Sequence, residues 1–116
     1  MAVVPTSVRE RIRPKRDGRV MSRESAEQLR GMMSKVVEEG TGTASALAGI
    51  RSGGKTGTAE VQNGASNQAW FIAFAPLDDP EVAIAVTVER TQGQGGTIAA
   101  PIAKQVMQQL LGGDGG

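Results

Sequence analysis

Ala69-Trp-Phe-Ile-Ala-Phe-Ala-Pro-Leu-Asp-Asp-Pro-Glu-Val-Ala-Ile-Ala-Val-Thr-Val-Glu89 is two β-rich runs separated by one proline-bounded turn. In the first run Trp70, Ile72 and Phe74 fall on one side and Phe71, Ala73 and Ala75 on the other, so both faces are expected to be buried. In the second, Val82, Ile84, Val86 and Val88 share a side opposite Ala83, Ala85, Thr87 and Glu89. So short a connection, Pro76 to Pro80, leaves only antiparallel pairing. Immediately upstream, Ile50 to Val61 carries Gly53, Gly54 and Gly57 beside Thr56 and Thr58, a composition that resists a helix. It reads as a third strand whose glycines admit something close to the backbone. Residues 62–68, with the turn pair Asn63-Gly64, form the connecting loop.

Helical periods flank these strands. Ser22 is a natural N-cap with Glu24 and Glu27 behind it, and Ala26, Leu29, Met32, Met33, Val36 and Val37 follow as one apolar stripe. Gly40 ends that helix, and residues 43–49 have room for one short helical turn. After the Gly/Gln-rich loop Thr91–Gly96, Ile98, Ile102, Val106 and Leu110 step by four from Thr97 onward, with Pro101 tolerated near the start. The expected fold is therefore α+β: an antiparallel sheet of about three strands, packed by an N-terminal-side helix and a C-terminal helix. Residues 1–21 read as an irregular lead-in with an exposed basic hairpin around Asp17-Gly18, residues 22–111 as the folded unit and 112–116 as a flexible tail.

Composition narrows the chemistry. The 116 residues contain neither cysteine nor histidine, which removes disulfides, Cys/His zinc sites and every Ser–His or Cys–His couple. No metal or cofactor is expected. An enzyme built here must work with lysine, carboxylates, hydroxyls and backbone amides. The net charge is +1, which argues against a generic nucleic-acid binder. Eight basic residues against four acidic ones in residues 1–30 leave two options open, a basic arm for an anionic partner or a solvated hairpin. No apolar run approaches bilayer-spanning length, and Met1 to Pro5 is too short for a secretory core, so any targeting signal is expected outside this chain.

Chemistry concentrates in Ser52-Gly-Gly-Lys-Thr-Gly-Thr-Ala-Glu60. Gly49 to Thr56 satisfies the phosphate-loop pattern G-x-x-x-x-G-K-[ST], but no helix follows Thr56 to receive a phosphate. As a strand, Lys55 offers a fixed positive charge for a substrate carboxylate, Gly57 leaves room for a substrate backbone, and the Thr58 N–H can face an oxyanion. An ordinary Gly/Thr edge strand with a solvated lysine shows the same triplet.

The wider set of motifs is more specific. Gly40-Thr-Gly42, Gly54-Lys-Thr-Gly-Thr-Ala-Glu60, Ala69-Trp-Phe-Ile-Ala-Phe-Ala-Pro76, Gly95-Gly96 and Ala100-Pro-Ile-Ala103 resemble, in order and spacing, the C-terminal part of the transpeptidase domain of class B penicillin-binding proteins. The resemblance implies a partial penicillin-binding/β-lactamase-like fold and a serine acyl-enzyme D,D-transpeptidase that crosslinks peptidoglycan and is acylated by β-lactams. It implies that Lys55, Thr56, Gly57 and Thr58 bind substrate, and that the Thr58 N–H forms half of an oxyanion hole. It also implies as partners a peptidoglycan stem peptide, β-lactams and an upstream part of the same domain, outside the bacterial cytoplasmic membrane. The family's Ser-x-Asn motif is absent, and the one Ser-x-x-Lys match, Ser52 to Lys55, reuses the lysine of Lys-Thr-Gly. On a strand those two side chains point to opposite faces, so they cannot be nucleophile and base. The chain is thus expected to be a fragment that lacks the nucleophile, is inactive alone and is prone to self-association. A non-catalytic interaction module, and less so a nucleotide-binding loop, are the alternatives.

Overall fold

The computed structural model describes residues 10–61 and 64–112. Helix α1 spans Arg23–Glu39, strands β1, β2 and β3 span Gly53–Val61, Ser66–Ala75 and Val82–Thr91, and helix α2 spans Ala100–Gly112. The sheet order is β1-β2-β3 with both pairings antiparallel. Ser22 caps α1, its hydroxyl accepting from the Ser25 N–H, and Gly40 closes the helix. A single 3-10 turn, Thr43–Ser45, and an isolated bridge between Leu47 and Ile50 fill the connection to β1. Glycine is required at Gly49, where φ is +75°.

One face of the sheet carries the core. Phe71, Ala73, Ala69 and Ala75 of β2 pack with Ala100, Ala103 and Met107 of α2 and with Val37 of α1. α1 lies against β1, where Gly53 and Gly54 leave space for two rings. A Cβ at Gly53 would lie 2.6 Å from Phe74 Cζ, and one at Gly54 2.5 Å from Phe71 Cζ. The paired glycines thus accept aromatic rings from the two sides of β2.

Four expectations are corrected. No hairpin forms at Asp17-Gly18: residues 10–20 carry no strand and are exposed throughout, because they offer no apolar face to hold a ladder. Residues 1–9 of the lead-in, Gln62 and Asn63 of the turn, and 113–116 of the tail lie outside the described residues. Only one face of β2 is buried, since Trp70 and Ile72 remain 40 % and 44 % exposed. The third strand begins at Gly53 rather than Ile50. Finally, helical backbone begins at Gly95 as a π-helical turn, Gly95–Ala99, that leads into α2, earlier than the apolar period placed it.

Candidate functional site

The register of β1 against β2 sorts the Lys-Thr-Gly-Thr segment by face. Thr56 and Thr58 stand opposite Phe71 and Ala69, on the core side, whereas Lys55 and Gly57 stand opposite Ile72 and Trp70 on the outer side. Beyond the covered core, Thr56 and Thr58 open into a cleft of about 530 Å³. The loop after α1 supplies its second wall with Gly40, Thr41, Thr43 and Ala44, and the start of the second helical segment supplies the third with Gln94, Gly96 and Thr97.

Small residues bring these three segments together. A Cβ at Gly95 would fall on the Trp70 carbonyl oxygen and lie 2.7 Å from that of Gly57, and one at Gly96 would fall on the Thr41 carbonyl oxygen. The backbone of the Gly95-Gly96 turn therefore rests directly on the strands. It donates the Gly95 N–H to Thr58 Oγ1 at 3.1 Å. Across the cleft, Thr41 Oγ1 and Thr56 Oγ1 lie 2.6 Å apart. Thr97 is turned inward on its own segment: its hydroxyl accepts from the Gln94 N–H at 3.1 Å and donates to the Gln94 carbonyl at 3.2 Å.

The sequence-derived site residues are thus only partly united. Thr56 and Thr58 share the cleft, while Lys55 is exposed on the other face and its ammonium donates to the Thr56 carbonyl at 2.7 Å. Gly57 is half-buried between them, and a Cβ there would meet only Trp70 Cβ at 3.6 Å, an ordinary contact. Ser52 is buried, and its hydroxyl has no hydrogen-bond partner. With Ser52 inside and Lys55 exposed, the pair is not coupled as nucleophile and base. The phosphate-loop alternative also fails, because Gly54, Lys55 and Thr56 lie within the extended strand β1. Sequence reasoning gave Thr41 no role. Its only signal is the glycine on either side, Gly40 and Gly42, which marks a chain passing close to other backbone. Among the described residues, no cluster of acidic side chains could hold a metal ion, and no helix is long and apolar enough to cross a membrane.

Comparison with known proteins places the chain in a family with this fold. The chain is 42 % identical over 100 residues to stage V sporulation protein D of Bacillus subtilis, covering 79 % of this chain and 16 % of that protein. It is 39 % identical over 105 residues to the peptidoglycan D,D-transpeptidase PbpA of Mycolicibacterium smegmatis, covering 84 % and 21 %. The chain therefore spans about a sixth to a fifth of the length of these relatives. Among solved structures, penicillin-binding protein A of Mycobacterium tuberculosis, as its ceftriaxone acyl-enzyme complex, superposes with a TM-score of 0.74 at 36 % identity, over 82 % of this chain and 23 % of that one. The PBP2 of Pseudomonas aeruginosa in complex with WCK 5153 gives 0.72 at 33 % identity, over 91 % and 24 %. The model of the penicillin-binding protein transpeptidase domain matches residues 3–108, nearly the whole chain, and on that match the chain belongs to this family.

Proposed function

We propose that this chain supplies the substrate-binding strand of a serine D,D-transpeptidase that crosslinks peptidoglycan and is acylated by β-lactams. One observation carries the reading: Thr56 and Thr58 present two hydroxyls into a single cleft beside an edge strand, with Lys55 on the same four-residue stretch. A carboxylate accepts hydrogen bonds only, and two hydroxyl donors next to a fixed cation suit it. The carboxylate of a stem peptide, or the equivalent group of a β-lactam, lies against Thr56 and Thr58. The peptide backbone runs along β1, where Gly57 offers no side chain to obstruct it. Lys55 contributes its charge from beside the strand, and to reach the cleft its ammonium must leave the Thr56 carbonyl. The Thr58 N–H is one oxyanion donor, and the nucleophile's own N–H is the other.

The nucleophilic serine and its base come from a part of the domain that these residues do not include. In that arrangement the serine hydroxyl adds to the substrate carbonyl, the terminal amine departs, and an acceptor amine takes the acyl group. The domain acts outside the bacterial cytoplasmic membrane, where peptidoglycan is assembled.

In the protein that contains the complete domain, Lys55→Ala should slow acylation by penicillin at least tenfold, the order expected for losing a charge-assisted contact. An unchanged rate would remove Lys55 from the site. The 116-residue chain alone, incubated with excess penicillin, should show no mass increase by intact mass spectrometry. A stoichiometric adduct would mean that a serine of this chain is activated.

A further inference from the structure

The hydroxyls of Thr56 and Thr58 are held by their neighbours in a way that fixes what they can offer. A hydroxyl carries one proton and two acceptor positions. At Thr58 one acceptor position is filled by the Gly95 N–H, an amide held on the strands by close backbone packing. The Thr58 proton is left to donate into the cleft. At Thr56 the same outcome depends on Thr41. The two oxygens are 2.6 Å apart and either can be the donor. An anion that accepts the Thr56 proton forces the shared bond to run from Thr41 to Thr56, and a hydroxyl that is itself accepting becomes a stronger donor.

We propose that Thr41 is a positioning residue for the anion site: it donates to Thr56, so that the Thr56 proton, like that of Thr58, is free to point at a bound carboxylate. This rests on the carboxylate-binding reading above and deepens it. Thr41 is well placed for the task because its backbone is confined. A Cβ at Gly42 would lie 3.0 Å from Val36 Cγ1 and 3.1 Å from Phe71 Cε1, and one at Gly96 would fall on the Thr41 carbonyl oxygen. The Thr97 hydroxyl, also on this cleft, is spent on Gln94 and does not compete for the ligand. Two hydroxyls that both donate to the ligand discriminate by charge: they favour a carboxylate over the corresponding ester, whose carbonyl is a weaker acceptor.

The test is an NMR titration of the 116-residue chain with N-acetyl-D-alanyl-D-alanine and with its methyl ester, run on the unmutated protein, Thr41→Val and Thr41→Ser. Thr41→Val should bind the free acid about fivefold more weakly, the order of one lost hydrogen bond. Thr41→Ser should restore binding to within about twofold. Affinity for the ester should be the same in all three. Equal binding of the acid by Thr41→Val, failure of Thr41→Ser to restore it, or an equal loss for the ester would each overturn the role of Thr41. Should Thr41→Val not fold, the unmutated chain still decides the matter. Adding the acid should slow exchange of the Thr41 hydroxyl proton with water, and a proton left in fast exchange overturns the proposal. If the unmutated chain binds neither probe, the carboxylate reading itself fails and the role of Thr41 fails with it, an outcome distinct from binding that ignores Thr41.

Discussion

Gly57 and Gly95 touch each other's backbone yet do different things. A Cβ at Gly57 meets only Trp70 Cβ at ordinary contact distance, so the fold does not require glycine there. A Cβ at Gly95 has nowhere to go, because both neighbouring oxygens belong to strand backbone that cannot turn aside. Gly95→Ala should therefore cost about 1–3 kcal/mol in chemical unfolding. Gly57→Ala should stay within about 0.5 kcal/mol of the unmutated chain. In the protein with the complete domain, Gly57→Ala should nonetheless slow acylation by penicillin, since the added methyl stands beside Trp70 on the edge strand along which the peptide backbone would run. Normal stability with normal acylation would mean that Gly57 serves neither purpose. The Lys-Thr-Gly triplet was legible in the sequence because its residue types announce a charge, a hydroxyl and a bare backbone in a row. The roles of Thr41 and Gly95, though both sit in motifs the resemblance used, were not legible, because what they contribute depends on which strand they meet.

Elements follow their local signals closely at the ends and less closely on their faces. Ser22 was legible as a cap because capping is decided within four residues, and Ser22→Ala should lower stability by about 1 kcal/mol. Burial is another matter, since periodicity marks a stripe without saying how much of it is covered. Met32 belongs to the apolar stripe of α1 yet is 60 % exposed, whereas Met107 of α2 is fully buried against the sheet. Met107→Ala should cost about 2–5 kcal/mol by thermal or urea unfolding. Met32→Ala should fall within about 0.5 kcal/mol. Equal costs would mean that α1 is covered in solution more fully than its packing against β1 provides. The missing hairpin at Asp17-Gly18 makes the complementary point. An alternating run with a turn pair still needs a surface to pack on, and residues 10–20 have none.

For the molecule as a whole, α2 covers one face of the three-stranded sheet, while on the other face α1 reaches only the Phe74 end through Met33, and Trp70 and Ile72 stay exposed among the described residues. Trp70 and Ile72 stand there side by side on adjacent alternate positions, flanked across the strands by Ala85 and Thr87 and by Lys55 and Gly57. Both β1 and β3 are also edges, with unpaired backbone groups along one side. Sequence alternation alone gave both faces of β2 as buried, which is what a strand in the middle of two layers looks like. In the chain as it stands, those apolar groups meet water. We expect the isolated chain to self-associate through this face, because apolar area removed from water is stabilising at about 25 cal/mol per Å² and none of the described residues covers Trp70 and Ile72. Sedimentation velocity should show a concentration-dependent mass. Because Trp70 is the sole tryptophan, its emission should shift to shorter wavelength over the same range. Ile72→Glu should suppress both effects while leaving the unfolding transition in place, since the side chain it replaces is 44 % exposed and on the face away from α2. If the unmutated chain stays monomeric with concentration-independent Trp70 emission, the outer face is not an association surface. If it associates and Ile72→Glu has no effect, the contact runs through the strand edges instead.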